Sequence, residues 1–375
     1  MRVLLISHTC QSATEGQPKA QCLGRLPGVD LRVLSPNRWL HYGQWRAPEV
    51  PAEAAFDYQV GKVTWPWVGP AQYFLHWYPE MARLLRDFRP DVIDLWEEPW
   101  SLVSAHTCFL RKRILPEAKL VSETEQNIDK HLPPPFETFR TYTLRNADFV
   151  VGRSAEAAEI VHRKGYKGPS AVVPNAVDTD LFYPMDKDKC RMELGFQGFV
   201  VGYVGRLVEE KGLSDLVEAV AVCGDDVRLV MVGAGPYRDD LQKQATDLGC
   251  GARVTLLDAR PLTELPRLMN AFDALALPSR TTATWKEQYG RVIIEAQACG
   301  TPVIGSDSGA IPEVVGVGGL VFPEKDSAAL ADVIRRLRDN PEFRRALGEA
   351  GRERVGLTCT WQRVAEQMRD IYTTL

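Results

Sequence analysis

The chain is poor in the residue groupings that announce several common protein classes. Its 8 cysteines are scattered over 375 residues, with no C-x-x-C pair and no His/Cys cluster at zinc spacing. This argues against a disulfide framework or a structural zinc. No apolar run approaches the length of a membrane span. The apolar start, Met1 to Ser7, is too short for a signal peptide and reads as a first strand. A surplus of positive charge is missing too: a net charge of -4 and a pI near 6.0 argue against nucleic acid as the main partner. The run Gly233-Ala234-Gly235-Pro236 lacks the third glycine of a dinucleotide fingerprint, since Arg238 occupies that place, which weakens a hydride-transferring dehydrogenase. What is present is 45% hydrophobic and 25% charged residues, the balance of a soluble globular enzyme, over a length that suggests two to three domains. The cysteine usage fits a reducing cytoplasm and leaves peripheral attachment at the inner membrane face open.

The stretch from Trp285 to Ile304 organises the rest. It reads as a loop, a short helix from about Gly290 to Cys299, a stop at Gly300 with Pro302 two residues on, and a strand. Val292, Ile293, Ile294, Ala296 and Ala298 leave that helix almost no polar face. Glu295 is the anomaly, because a buried carboxylate is costly unless it receives dedicated hydrogen bonds, from protein groups or from the vicinal hydroxyls of a ribose. Glu287 precedes the helix, where free backbone amides favour an anion such as a phosphate. Two carboxylates framing a buried helix start suggest a nucleotide-sugar site.

Glu287 through Glu295 resembles the E-x7-E signature of the family 4 (group 1) retaining glycosyltransferases, and Ala296 to Ile304 resembles that family's A-x-x-x-G-x-P-V-I run. Companions stand in the right order. Pro174-Asn175-Ala176-Val177-Asp178 is similar to its P-N-G-V-D crossover, and Gly205-Arg206 through Lys211-Gly212 to its G-R-x-x-x-x-K-G element. Ser308-Gly309-Ala310-Ile311-Pro312-Glu313 is similar to its G-G-x-P-E loop. The resemblance covers nearly the whole chain and is most specific from Pro174 to Phe322.

In the first half, Val3 to Ser7 is a strand followed by a polar loop, His8 to Gly16, at the end where an open parallel sheet binds ligands. Family members usually carry paired glycines in this loop; only Gly16 is present. Leu31 to Leu34 reads as a strand, and Pro36 to Pro51 as a long irregular connection containing Trp39, Tyr42 and Trp45. Trp65 to Val68 leads into an expected helix, Ala71 to Phe88, whose aromatic residues read as packing on a sheet, with a lipid-facing or sugar-stacking surface as the alternative. Strands Asp91 to Trp96 and Lys119 to Ser122 end in Glu97-Glu98 and Glu123-Thr124-Glu125-Gln126-Asn127. If they are parallel neighbours, up to four carboxylates line one crevice. Glu98, Glu125 and Asn127 are the acceptor candidates, and no catalytic histidine is nominated, because the position where many relatives carry one holds other residues. Asp178-Thr179-Asp180 mimics a D-x-D metal motif but reads as turn chemistry.

In the second half, strand Phe199 to Gly205 feeds Arg206 and Lys211 at the head of a helix, where a guanidinium and an ammonium can neutralise a diphosphate without metal. The alternative is a surface ion-pair network with Glu209 and Glu210.

The resemblance implies an α/β protein of GT-B fold, two Rossmann-like doubly wound domains facing each other across a cleft. Residues 1–177 form the acceptor-binding domain, to which a helix at about 358–375 returns, and residues 178–357 the nucleotide-sugar donor domain. It implies a retaining hexosyltransferase carrying sugar from a nucleoside-diphosphate donor to a hydroxyl of a glycan or lipid-linked acceptor, with neither cofactor nor metal. By that resemblance Glu295 holds the ribose, Arg206 and Lys211 the diphosphate, and Glu287 the sugar hydroxyls; Gln288, Tyr289, Gly290 and Gly16 complete the donor site. Glu287, Arg206 and Lys211 are the catalytic candidates. A nucleotide-sugar epimerase or phosphorylase of the same fold, or a non-catalytic nucleotide-sugar binder, are the alternatives.

Overall fold

The computed structural model describes residues 1–41, 44–64, 69 and 71–375. Tyr42, and the segment 65–68 expected to lead into a helix, lie outside the described residues. The chain divides into two compact units, residues 1–174 with 361–375, and residues 175–360.

The first unit holds strands β1 (Arg2–Ile6), β2 (Asp30–Pro36), β3 (Trp39–His41), β4 (Gln44–Arg46), β5 (Asp57–Gly61), β6 (Val92–Leu95), β7 (Lys119–Thr124), β8 (Phe149–Gly152) and β9 (Ser170–Val172). Its helices are α1 (Gln17–Arg25), α2 (Gln72–Leu75), α3 (Met81–Phe88), α4 (Leu102–Ile114), α5 (Phe136–Asn146) and α6 (Ala155–Arg163). Seven strands form a parallel sheet in the order β5-β2-β1-β6-β7-β8-β9. Val3 to Ile6 are fully buried, as a central parallel strand covered on both faces requires. The chain builds outward from β1 through β2 to β5, then returns to β6 on the other side of β1. Connections therefore diverge between β1 and β6, leaving a crevice at their carboxyl ends.

Three expectations are corrected in this unit. The connection from Pro36 to Pro51 is not wholly irregular, for β3 and β4 pair in it as an antiparallel hairpin. The helix expected from Ala71 to Phe88 is two helices, with the chain extended at His76, ψ 148°. Pro79, which has no N–H to donate, stands in the break. Of the aromatics around it, Tyr78 is fully buried and Phe74 lies 4.4 Å from Trp100 and 4.7 Å from Phe136 between ring centroids, while Tyr73 is exposed. Glu123, expected to share a crevice with three other carboxylates, is instead buried in an ion cluster. Lys19 of α1, fully buried, pairs with Glu123 and lies 3.2 Å from Asp94, and Arg153 pairs with Glu123 from the other side. The Trp96 ring lies 4.4 Å from the Lys19 ammonium. Cationic partners of this kind offset the cost of burying an ionised carboxylate.

The second unit alternates α7 (Lys187–Leu194), β10 (Phe199–Val204), α8 (Leu213–Ala221), β11 (Val227–Val232), α9 (Arg238–Asp247), β12 (Val254–Leu257), α10 (Leu265–Ala271) and β13 (Ala274–Leu277). It continues through α11 (Arg291–Ala298), β14 (Val303–Ser306), α12 (Ile311–Val315), β15 (Gly319–Phe322), α13 (Ser327–Asp339) and α14 (Pro341–Thr358). Its parallel sheet runs β12-β11-β10-β13-β14-β15, so the divergence falls between β10 and β13. Apolar residues from all six strands and their helices form one continuous core. The final helix, α15 (Trp361–Thr373), belongs to the first unit, packs on α1, and donates the Tyr372 hydroxyl to Asp94 at 2.6 Å.

Candidate functional site

In the second unit the loops leaving β10 and β13 carry most of the residues singled out in the sequence. The loop after β10 turns through Gly212, whose φ of 65° is left-handed and whose missing side chain leaves room for the Pro278 carbonyl. A Cβ there would lie 1.9 Å from that oxygen. This close approach sets the two loops against each other, and the Arg280 amide donates to the Glu210 carbonyl at 2.8 Å. Lys211 is thereby brought to Glu287, Nζ to Oε2 2.6 Å, with the Ser279 hydroxyl donating to the same oxygen at 2.9 Å. The Lys211 ammonium also sits 4.8 Å from the centroid of the Trp285 ring. Arg206 is half exposed and lies 3.6 Å from Glu210, four residues on in the loop after β10, a loose pair. Such an exposed pair contributes little to stability, and the guanidinium stays available to an incoming anion.

The β13–α11 loop continues through exposed Gln288, buried Tyr289, whose hydroxyl donates to the Asn175 carbonyl at 3.3 Å, and Gly290, left-handed at φ 80° as the cap of α11. Glu295 follows one and a half turns into α11 and is 9% exposed. Among the described residues nothing donates to its carboxylate; burial holds its pKa above the usual range, with Arg291 pulling only partly the other way. The loop after β14 closes the group, the Ala310 amide donating to the Glu287 carbonyl at 3.1 Å. Asp178 is a turn residue, its carboxylate accepting the amides of Asp180 and Leu181.

In the first unit Gly16 lies against the backbone of Thr9 and Cys10, and a Cβ there would fall 2.4 Å from both. Its lack of a side chain is used by its own loop. Glu98 and Glu125 are joined, the Glu125 amide and the Thr124 hydroxyl donating to the Glu98 carboxylate at 2.8 and 2.7 Å. Burial raises the Glu98 pKa to about 7. Glu125 is partly exposed and Asn127 fully buried.

Sequence reasoning passed over His8 and Glu97, which stand at the carboxyl ends of the two diverging strands. The His8 amide donates to Glu97 at 2.6 Å and its Nδ1 lies 2.8 Å from the same carboxylate, with His76 Nε2 at 3.6 Å. Burial opposes ionisation of Glu97, but the two histidines outweigh it and hold its pKa down to about 2. The available signal was position, a histidine immediately after the first strand and a glutamate immediately after β6. Ser279 carried no pattern of its own.

Comparison with known proteins bears on this arrangement. The profile described as Glycosyl transferases group 1 matches residues 186–354, and that described as Glycosyltransferase Family 4 matches residues 28–181. A D-inositol 3-phosphate glycosyltransferase of Corynebacterium jeikeium is 31% identical over 303 residues, covering 75% of this chain and 68% of the relative. A GDP-mannose-dependent alpha-(1-6)-phosphatidylinositol monomannoside mannosyltransferase of Mycolicibacterium smegmatis is 37% identical over 199 residues, 49% of this chain and 52% of the relative. The chain thus spans about two thirds of the first and half of the second. Among solved structures, sucrose-phosphate synthase from Thermosynechococcus elongatus matches with TM-score 0.75 and 22% identity over 100% of this chain and 98% of that one. Anabaena Alr3699/HepE, solved with UDP, matches with TM-score 0.76 and 21% identity over the whole of both. These two likenesses concern the fold, which is GT-B. Ordered motifs, two parallel-sheet units and a relative matched along most of its length agree: the chain belongs to the family 4 (group 1) glycosyltransferases.

Proposed function

We propose that the chain is a retaining, metal-independent hexosyltransferase that moves a sugar from a nucleoside-diphosphate donor to a hydroxyl of a glycan or lipid-linked acceptor. The observation that carries the donor site is Glu295, a buried carboxylate without a donor among the described residues, on the helix that follows the Lys211–Glu287 pair. Ribose hydroxyls supply the hydrogen bonds it lacks. Arg206 and Lys211 take the diphosphate, and the charge that grows on it as the sugar leaves is balanced by these two cations. Glu287, held by Lys211 and Ser279, accepts from the sugar hydroxyls. The departing phosphate oxygen takes the acceptor proton on the face the donor occupied, so the protein supplies orientation and electrostatic balance in place of a nucleophile.

No helix among the described residues is long and apolar enough to cross a membrane. Relatives named for phosphatidylinositol monomannoside substrates support a lipid-linked acceptor, and we infer that it is reached at the inner membrane face.

The test is thermal unfolding of the purified protein against UDP-, GDP-, ADP- and dTDP-sugars, beside Glu295→Ala. A ligand at about a hundred times its dissociation constant adds roughly 2.7 kcal/mol to the folded state. One nucleoside class is expected to raise the midpoint. The variant is expected to bind it more weakly by about 1 to 3 kcal/mol, the scale of lost charged hydrogen bonds. Undiminished affinity in Glu295→Ala removes the ribose assignment.

A further inference from the structure

The first unit contains an open hollow beside the carboxyl end of β1, lined by His8, Trp39, Tyr73, Glu15, Arg46 and Glu49. His8 stacks on Trp39 with ring centroids 4.6 Å apart, while Tyr73 meets both rings edge-on at 5.5 and 5.2 Å. Two polar atoms of this lining are unused among the described residues. Glu97 fixes His8 through its backbone amide and Nδ1, which leaves Nε2 without a partner. The indole N–H of Trp39, a residue 3% exposed, is buried and finds no acceptor. A buried donor left unmade costs as much as a lost hydrogen bond, so the Trp39 N–H needs an explanation, whereas the His8 ring is partly exposed and its Nε2 can meet water or a ligand.

We propose that this hollow receives the neutral polyhydroxylated ring, a sugar or cyclitol, of the acceptor, and that Trp39 Nε1–H and His8 Nε2 select it by hydrogen bonding ring oxygens. Aromatic walls suit the C–H faces of such a ring, and fixed polar atoms suit its hydroxyls. The lining favours a neutral ring over a phosphorylated one, since it sets two carboxylates against one arginine. Glu49 already accepts the Ala13 amide at 2.6 Å, which holds that carboxylate in place. Burial opposes protonation of His8, and Glu97 outweighs it, so the ring's pKa is raised; Nε2 donates to a ring oxygen when protonated and accepts from a ring hydroxyl when neutral with Nδ1–H on Glu97. The inference rests on the transferase reading above and adds the residues that choose the acceptor.

The experiment uses intact protein with the donor found by thermal unfolding, and myo-inositol and methyl hexopyranosides as acceptor probes. Release of nucleoside diphosphate above acceptor-free hydrolysis is measured for the wild type, Trp39→Phe and His8→Phe. Trp39→Phe keeps a ring and deletes only the N–H; should His8→Phe fail to fold, it carries the test alone. The donor-induced thermal shift is expected to persist, which reports that each variant is folded and still binds donor. The acceptor KM is expected to rise about tenfold with little change in kcat, the effect of one hydrogen bond to a ring oxygen. An unchanged acceptor KM in Trp39→Phe overturns the proposal. So does a wild type that binds donor yet responds to no neutral ring, or that responds only to inositol phosphate. Absence of any donor shift removes the transferase reading first, and this inference with it.

Discussion

Buried carboxylates separate by what meets them. Glu97 has two histidines and Glu123 has Lys19 and Arg153, whereas Glu98 has only a hydroxyl and an amide. Burial therefore wins at Glu98, whose pKa rises from 4.5 to about 7. A carboxyl with a raised folded pKa contributes stability that is whole below its unfolded pKa and lost as pH rises through the folded one. The wild type is accordingly expected to lose stability relative to Glu98→Gln between about pH 4.5 and 7, and denaturant titrations at both ends of that window check it; a constant difference refutes it. Single residues were unevenly legible. Glu295 stood out because charge inside an apolar helix contradicts its neighbours. The role of His8 depends on Glu97, 89 residues away, and on Trp39, and nothing local in the sequence joins them.

Elements were legible where burial is two-sided. The apolar runs of β1 and β10 read as strands, and both stand as central parallel strands. β5 was not anticipated, because an edge strand, mostly exposed or half-exposed, has no need of an apolar pattern. The split between α2 and α3 was written in Pro79 but outweighed by the aromatic spacing around it. At the β10–α8 junction the loop geometry depends on one missing side chain. Gly212→Ala must leave a left-handed conformation and push back the Pro278 carbonyl, a cost of about 1–3 kcal/mol or more. A lowered thermal midpoint and weakened donor binding together are expected, since Lys211 and the β13 loop share that junction. A variant as stable as the wild type with full donor affinity contradicts the account.

For the molecule as a whole, α15 is fastened to the first unit by a buried polar contact as well as by apolar packing. Tyr372 donates to Asp94, which burial and nearby Glu123 push up to about 7 while Lys19 pulls it down. Tyr372→Phe leaves that buried oxygen short of a donor and is expected to cost about 1–3 kcal/mol by chemical denaturation; no loss would mean the packing alone holds the helix. Where the chain enters and leaves the second unit, Val177 forms a parallel bridge with Thr360, and its amide donates to the Cys359 carbonyl at 2.8 Å. With its own sheet, its own core and both ends side by side, residues 175–360 form a self-contained insertion. Expressed alone, that segment is expected to fold cooperatively and, if the proposed donor site is right, to bind the nucleotide sugar as the full chain does, measured by calorimetry. A portable module follows: spliced through its adjoining ends into a surface loop of an unrelated fluorescent host, it would report nucleotide sugars without transferring them.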